Sequence, residues 1–307
     1  MIDLQGLAEL AASNPEALRH PVAPLRLGDR VVDSDTTPVI MGIVNLSPDS
    51  SYRDSIATST ESVVRRGKVL AAQGADLIDI GAESTNATAE RVNADRQAEL
   101  LVPAIEGLVA EGLVVSAEAY DPDVVRACLE AGSQVLNYTG HAADDEIFGL
   151  VAEHGATLVM CSILGSDSRD VTDVEREADP LPGYLDHFEK RVAVARARGV
   201  EDIVLDPGLG FFYGNLTDPM VRLDYQTRVL LRTFELRVLG LPLCQSMPSA
   251  YTVFEEQFRI AEPFFSVLAR LAGTGMIRTH EVPQVRAMTD TMQRLGVSTG
   301  RTPFTRR

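Results

Sequence analysis

The dominant pattern is an alternation that begins at Pro38. Short apolar runs recur at Val39–Val44, Leu77–Ile80, Leu113–Ser116, Val135–Asn137, Thr157–Cys161, Ile203–Leu205, Leu241–Cys244 and Met276–Arg278. Each is brief and near-continuous, as a parallel strand buried on both faces must be. Between them lie stretches with helical spacing, among them Thr60–Gln73, Ala94–Val109, Asp121–Glu130, Tyr184–Arg198 and Glu255–Leu271. Eight strands alternating with helices, with no linker that splits them, predict a (β/α)8 barrel of the TIM type over residues 38–307. A doubly wound open sheet is the competing arrangement, but it usually needs fewer strands. Residues 1–37 read as a short N-terminal extension, with a helix near Leu4–Ala12 and a hairpin near Leu25–Val32.

In a closed parallel barrel the site is built where the strands end. Those ends are small, polar and acidic here, while the strand bodies are apolar. They read Asn45-Leu46-Ser47-Pro48-Asp49-Ser50, Gly81-Ala82-Glu83-Ser84-Thr85, Glu118, Asn137-Tyr138, Cys161-Ser162, Asp206-Pro207-Gly208-Leu209-Gly210-Phe211, Ser246-Met247-Pro248 and Arg278-Thr279-His280-Glu281. A polar pocket over an apolar core is the expectation. Asp206 has the clearest chemistry in it, since one carboxylate can accept two hydrogen bonds from a paired donor array. Gly208 and Gly210 would let backbone pass close to a flat ligand. The charge-rich run Asp167–Asp179 reads as a solvated loop or as a lid over the pocket.

Composition narrows the choices. Hydrophobic residues make up 45% of the 307 and charged residues 23%, which is ordinary for a soluble chain. No apolar run approaches the roughly 20 residues of a membrane span, and Met1–Ala12 has no basic, signal-like start. Cys128, Cys161 and Cys244 are odd in number and far apart, so a disulfide framework is not expected and a reducing cytoplasm is. The formal net charge of −16 repels phosphate backbones and argues against nucleic acid as a partner. Lys68 and Lys190 are the only lysines and both fall in helical stretches, so an anion site must draw on arginine. The five histidines are scattered without metal-ligand spacing.

Four strand-end segments carry a specific resemblance. Met41–Ser50, Asp79–Thr85, Leu205–Phe211 and Ile277–Val282 resemble, in order, the signatures of the dihydropteroate synthase family. The resemblance covers about residues 38–295 and implies a barrel enzyme, a reduced pterin or folate as substrate or cofactor, and a homodimer. It implies pterin-binding roles for Glu118, Asn137, Asp206, Gly208 and Phe211. It assigns the pyrophosphate leaving group to Thr85, Arg278 and His280, catalytic roles to Asn45, Arg278 and His280, and a magnesium ion to Asn45.

Departures from the family pattern cluster at the second substrate. Ser246-Met247-Pro248 stands where the family has Ser-Arg-Lys, Asn86 replaces a basic residue, and positions 48–51 carry no aromatic. Glu118 and Tyr138 stand in place of aspartates. Lost cations should slow pyrophosphate expulsion by several powers of ten. Three readings follow. The first is a synthase-like transferase that joins the pterin methylene carbon to an amine or another nucleophile, with an altered second-substrate site. The second is a tetrahydrofolate-dependent methyl or one-carbon transferase, and the third a non-catalytic pterin-binding partner protein.

Overall fold

The computed structural model describes residues 3–49, 52–84, 89–171, 173–174, 179–211, 213–248 and 250–296. Among the described residues there are ten strands: β1 (Leu25–Leu27), β2 (Arg30–Val32), β3 (Val39–Asn45), β4 (Leu77–Gly81), β5 (Val115–Ala119), β6 (Val135–Tyr138), β7 (Thr157–Cys161), β8 (Ile203–Asp206), β9 (Cys244–Ser246) and β10 (Met276–Thr279). The helices are α1 (Leu4–Ser13), α2 (Pro15–Arg19), α3 (Thr60–Ala72), α4 (Ala94–Ala110), α5 (Pro122–Glu130), α6 (Asp144–His154), α7 (Leu181–Ala197), α8 (Pro219–Arg232), α9 (Tyr251–Phe254), α10 (Ala261–Leu271) and α11 (Val282–Arg294).

Eight strands form one parallel sheet in the order β8-β7-β6-β5-β4-β3-β10-β9. A parallel bridge between Leu205 and Leu243 joins its two edges, with the Leu205 N–H donating to the Pro242 carbonyl at 2.9 Å. This is the expected eight-stranded barrel, and all eight apolar runs supply a strand. Two boundaries move. The third strand is Val115–Ala119 because Leu113 still belongs to the turn after α4 and is only half-buried. The seventh is Cys244–Ser246; Leu243, just before it, bridges to Leu205 and accepts from the Gly275 and Met276 N–H groups.

Helix starts follow local chemistry. Ser59 and Ser62 form a reciprocal cap on α3, while Asp121 and Asp218 cap α5 and α8 just before a proline. The single helix expected over Glu255–Leu271 is instead interrupted. Glu255 adopts φ +47°, a 3-10 turn runs to Ile260, and α10 begins only at Ala261. Tertiary packing overrides the helical pattern here: the break lets the Phe258 ring meet Tyr52 edge-on at 5.6 Å.

The antiparallel β1–β2 hairpin lies at the N-terminal ends of the barrel strands. Arg26 pairs with Asp202 at 2.8 Å, and its carbonyl accepts from the Thr157 hydroxyl at 2.9 Å. Arg237, fully buried, holds Asp35 through both carboxylate oxygens at 2.7 and 2.8 Å. Leu25, Leu27 and Val32 join the same apolar cluster as the barrel core. With that end covered, the opposite face is the one left for ligands.

Candidate active site

The pocket at the C-terminal ends of the strands is lined by Glu118, Asn137, Thr139, Cys161, Asp206, Gly208, Gly210, Phe211, Ser246 and Arg278. Five of the residues expected to bind pterin (Glu118, Asn137, Asp206, Gly208 and Phe211) thus meet in one place, with Arg278. They come from β5, β6, β8 and β10 and from the loop after β8.

Arg278 is the hub. Its Nε donates to Asp79 Oδ2 at 2.7 Å, one terminal nitrogen pairs with Glu118 Oε2, and the other reaches Ser246 Oγ at 3.5 Å. Asp79, fully buried, also accepts from Ser116 Oγ at 2.6 Å and from Asn137 Nδ2 at 3.3 Å. Cys161 Sγ donates to Asn137 Oδ1 at 3.3 Å. One chain of side-chain hydrogen bonds therefore sets the orientation of the Asn137 amide. A buried carboxylate costs several kcal/mol unless paired in this way.

Asp206 sits at the end of β8, buried, with Oδ1 accepting from the Gly208 N–H at 2.7 Å. Gly208 has φ +76°, and a Cβ there would lie 2.1 Å from the Ser162 carbonyl oxygen. Only glycine fits that approach. The charge balance of the pocket is lopsided, with Asp79, Glu118 and Asp206 around the single Arg278. Burial pushes the Asp206 carboxyl up to about 6, although the Gly208 N–H, Arg278 and Cys244 pull it back. Burial likewise pushes Glu118 up to about 7 against the pull of Arg278, helped by Asp79, Asp206 and Glu83. Such a pocket favours a ligand that presents donors.

A second cluster forms the rim beside this floor. His280 Nδ1 lies 2.8 Å from Glu262 Oε1, and its backbone N–H donates to Glu262 Oε2 at 2.8 Å. The Thr279 hydroxyl donates to the same Oε2. The Tyr52 ring stacks on the imidazole at 4.2 Å with an interplanar angle of 1°. Positions 48–51 lack an aromatic, but Tyr52 follows at once and supplies a ring to this corner. Asn45, at the end of β3, donates through Nδ2 to Ser55 Oγ at 2.6 Å on the same first loop. Neither Asn45 nor His280 lines the Arg278 pocket. Thr85, Asn86, Ser50 and Ser51 lie outside the described residues.

Of the Ser246-Met247-Pro248 strand end, only Ser246 lines the cavity; Met247 is 5% exposed and packed in the apolar core. The charge-rich run after β7 is tied across the barrel mouth. Arg169 donates to the carbonyls of Ser84 and Ala89, each at 2.6 Å, and Asn215 brackets Val174 with two hydrogen bonds of 2.7 and 3.1 Å. Sequence reasoning passed over Asp79, Glu262 and Tyr52. Asp79 had a signal, an acid within the apolar run Leu77–Ile80, which must find a partner when buried. Glu262 and Tyr52 had none. Among the described residues no group of three His, Cys, Asp or Glu side chains could hold a metal ion, and no helix is long and apolar enough to cross a membrane.

The profile of the family described as "Pterin binding enzyme" matches residues 41–280. Dihydropteroate synthase from Synechocystis sp. is 31% identical over 227 residues, 72% of this chain and 74% of that protein. Dihydropteroate synthase type-2 of Escherichia coli is 30% identical over 255 residues, covering 81% and 92%. A probable bifunctional folylpolyglutamate synthase/dihydropteroate synthase of Halobacterium salinarum is 29% identical over 286 residues, and the chain spans 34% of its length. Among solved structures, Xanthomonas albilineans dihydropteroate synthase with 4-aminobenzoic acid superposes with a TM-score of 0.76 at 26% identity, covering 90% of this chain and 98% of that one. The barrel, the strand-end pocket and these relatives together place the chain in the pterin binding enzyme family, among its dihydropteroate synthase-like transferases.

Proposed function

We propose that this chain binds a reduced pterin in the Arg278 pocket and moves its methylene carbon from pyrophosphate to the nitrogen of an amine. The observation that carries the reading is the convergence of Asp206, Asn137 and Glu118 around Arg278 at the strand ends. An amino-pyrimidine edge offers the paired donors that ionised Asp206 accepts, and Phe211 with Gly208 forms a wall close enough for a flat ring. In the reaction the C–O bond to pyrophosphate breaks and its electron pair leaves with the oxygen. The amine lone pair forms the new C–N bond, and the proton released from nitrogen passes to solvent. The named relatives are dihydropteroate synthases, which supports this class of chemistry.

For the leaving group we propose His280 and Thr85, with Arg278 at the boundary between ring and anion. A magnesium ion would fit this donor set, since that ion takes few protein ligands and shares substrate phosphate oxygens. Asn45 would be its protein contact, and the ion would supply charge neutralisation. We further propose that the second-substrate site differs from that of ordinary synthases, because the segment after β9 presents Ser246 and buries Met247. Residues 1–37 would act as an extension that closes the far end of the barrel at 38–307. A homodimer is proposed on the exposed apolar face of Ile260, Phe264 and Leu271 on and before α10.

One observation favours the folate methyl-transfer reading instead. The Arg278 guanidinium is already paired with Asp79 and Glu118, and methyl transfer needs no cradle for an anion. Turnover separates the two. Dihydropterin pyrophosphate is incubated with p-aminobenzoate and a panel of other amines, and pyrophosphate release is measured. Our reading expects release with at least one amine and slow turnover with p-aminobenzoate. No release with any amine, alongside methyl transfer from methyltetrahydrofolate, would replace it; binding without either reaction would leave a pterin-binding partner protein.

A further inference from the structure

The rim carries a carboxylate that the pterin chemistry above does not use. Glu262 lies in the first turn of α10 and is nearly buried, yet it is surrounded by donors from the end of β10: Thr279 Oγ1, the His280 N–H at 2.8 Å, the Glu281 N–H at 3.2 Å and His280 Nδ1 at 2.8 Å. Burial raises its carboxyl, but the His280 charge and the hydrogen bonds of His280 and Thr279 outweigh that, so the net direction is downward and Glu262 stays ionised. An ionised carboxylate accepts, so Nδ1 carries the proton. Tyr52 covers one face of the ring. Just before α10, Arg259 pairs with Asp54 of the first loop and with Glu281 at 2.9 Å, which ties the segment bearing Glu262 to both walls of this corner. One nitrogen and one face of the imidazole are thus held, and Nε2 is the nitrogen left to meet a ligand.

We infer that Glu262 is a positioning residue for His280: it holds the imidazole by Nδ1 on the Tyr52 platform so that Nε2 faces the departing pyrophosphate. The inference rests on the function proposed above and assigns it a residue outside the strand-end segments. It acts as a carboxylate does behind a metal-bound or catalytic histidine, where removing such a partner typically costs about 10- to 100-fold. A purely structural Glu262, needed only to cap the Thr279–Glu281 turn, is the alternative, and a double-mutant cycle separates the two.

Inorganic pyrophosphate is titrated into the wild type, Glu262→Gln, His280→Ala and the double variant by calorimetry. Nitrogen-15 spectra of the His280 ring are recorded for the wild type and Glu262→Gln. Glutamine keeps an acceptor for the turn amides, so the turn survives. The expected result is about a tenfold weaker pyrophosphate complex in Glu262→Gln, no further loss when the same change is made in His280→Ala, and altered His280 ring-nitrogen shifts. Equal loss in both backgrounds would overturn the inference, as would ring shifts unchanged by Glu262→Gln. A wild type that binds no pyrophosphate would count against the proposed leaving-group site, and the ring spectra would still decide whether Glu262 sets the imidazole.

Discussion

The floor of the pocket and its rim handle charge in opposite ways. On the floor, three carboxylates crowd one arginine, and two of them are pushed up to about 6 and about 7. On the rim, one carboxylate takes several donors and is held below its ordinary value. The floor is therefore short of donors and suited to a ligand that brings them, such as an amino-pyrimidine edge. The rim has already satisfied its carboxylate within the protein and has a ring nitrogen to offer. In the proposed function, recognition and leaving-group handling lie side by side in one barrel mouth, and the end of β10 contributes to both, through Arg278 on the floor and His280 on the rim.

The sharpest way to break this contrast is to remove Arg278, the one cation among the described residues that line the floor. Arg278→Met leaves Asp79 and Glu118 buried without their partner, and losing one side of a buried ion pair costs about 3–5 kcal/mol. Urea unfolding should show that loss, whereas Glu262→Gln on the rim should cost clearly less. Equal losses would mean that the two regions are not organised differently.

Gly208→Ala should be the next largest effect. A Cβ would fall 2.1 Å from the Ser162 carbonyl at φ +76°, and forcing a side chain into such backbone costs on the order of 1–3 kcal/mol. A thermal melt reports the stability change, and pterin affinity should fall with it because the turn also donates to Asp206. A stable variant with unchanged affinity would show that the loop adapts freely.

A smaller effect is expected from pH. In the proposed function pterin recognition requires ionised Asp206, whose carboxyl is raised to about 6 in the protein. Affinity should be level above that value and fall about tenfold per pH unit below it, in proportion to the competent fraction. A flat profile between pH 5 and 7 would remove Asp206 from the ring site. Stability carries the opposite sign. Because Asp206 and Glu118 hold protons more tightly folded than unfolded, their contribution falls as pH rises from about 4 to 7. The midpoint of thermal unfolding should be higher at pH 5.5 than at pH 8, and Glu118→Gln should flatten that slope.

Most of the barrel was legible because both faces of its strands are buried, which makes each strand a short apolar run. Boundaries slipped where an apolar residue served a turn, as at Leu113, or a bridge, as at Leu243. The floor was legible for the same reason as the fold: Asn137, Asp206 and Arg278 leave strands whose ends define the site. The rim was not. Glu262 reaches His280 from 18 residues upstream on a helix, and Tyr52 reaches it from the far end of the first loop. Neither pairing is encoded by local periodicity, and the helix bearing Glu262 starts only after the break that follows Glu255.

Asp206 is proposed to anchor a pterin ring on the floor. Calorimetric titration of dihydropterin pyrophosphate into the wild type and Asp206→Asn tests it most directly, with melting temperatures of both measured alongside. Losing a charged acceptor of two hydrogen bonds should weaken binding at least tenfold, about 1.5–3 kcal/mol, while the variant stays folded. Equal affinity for the two proteins would contradict the account and move the ring site away from β8.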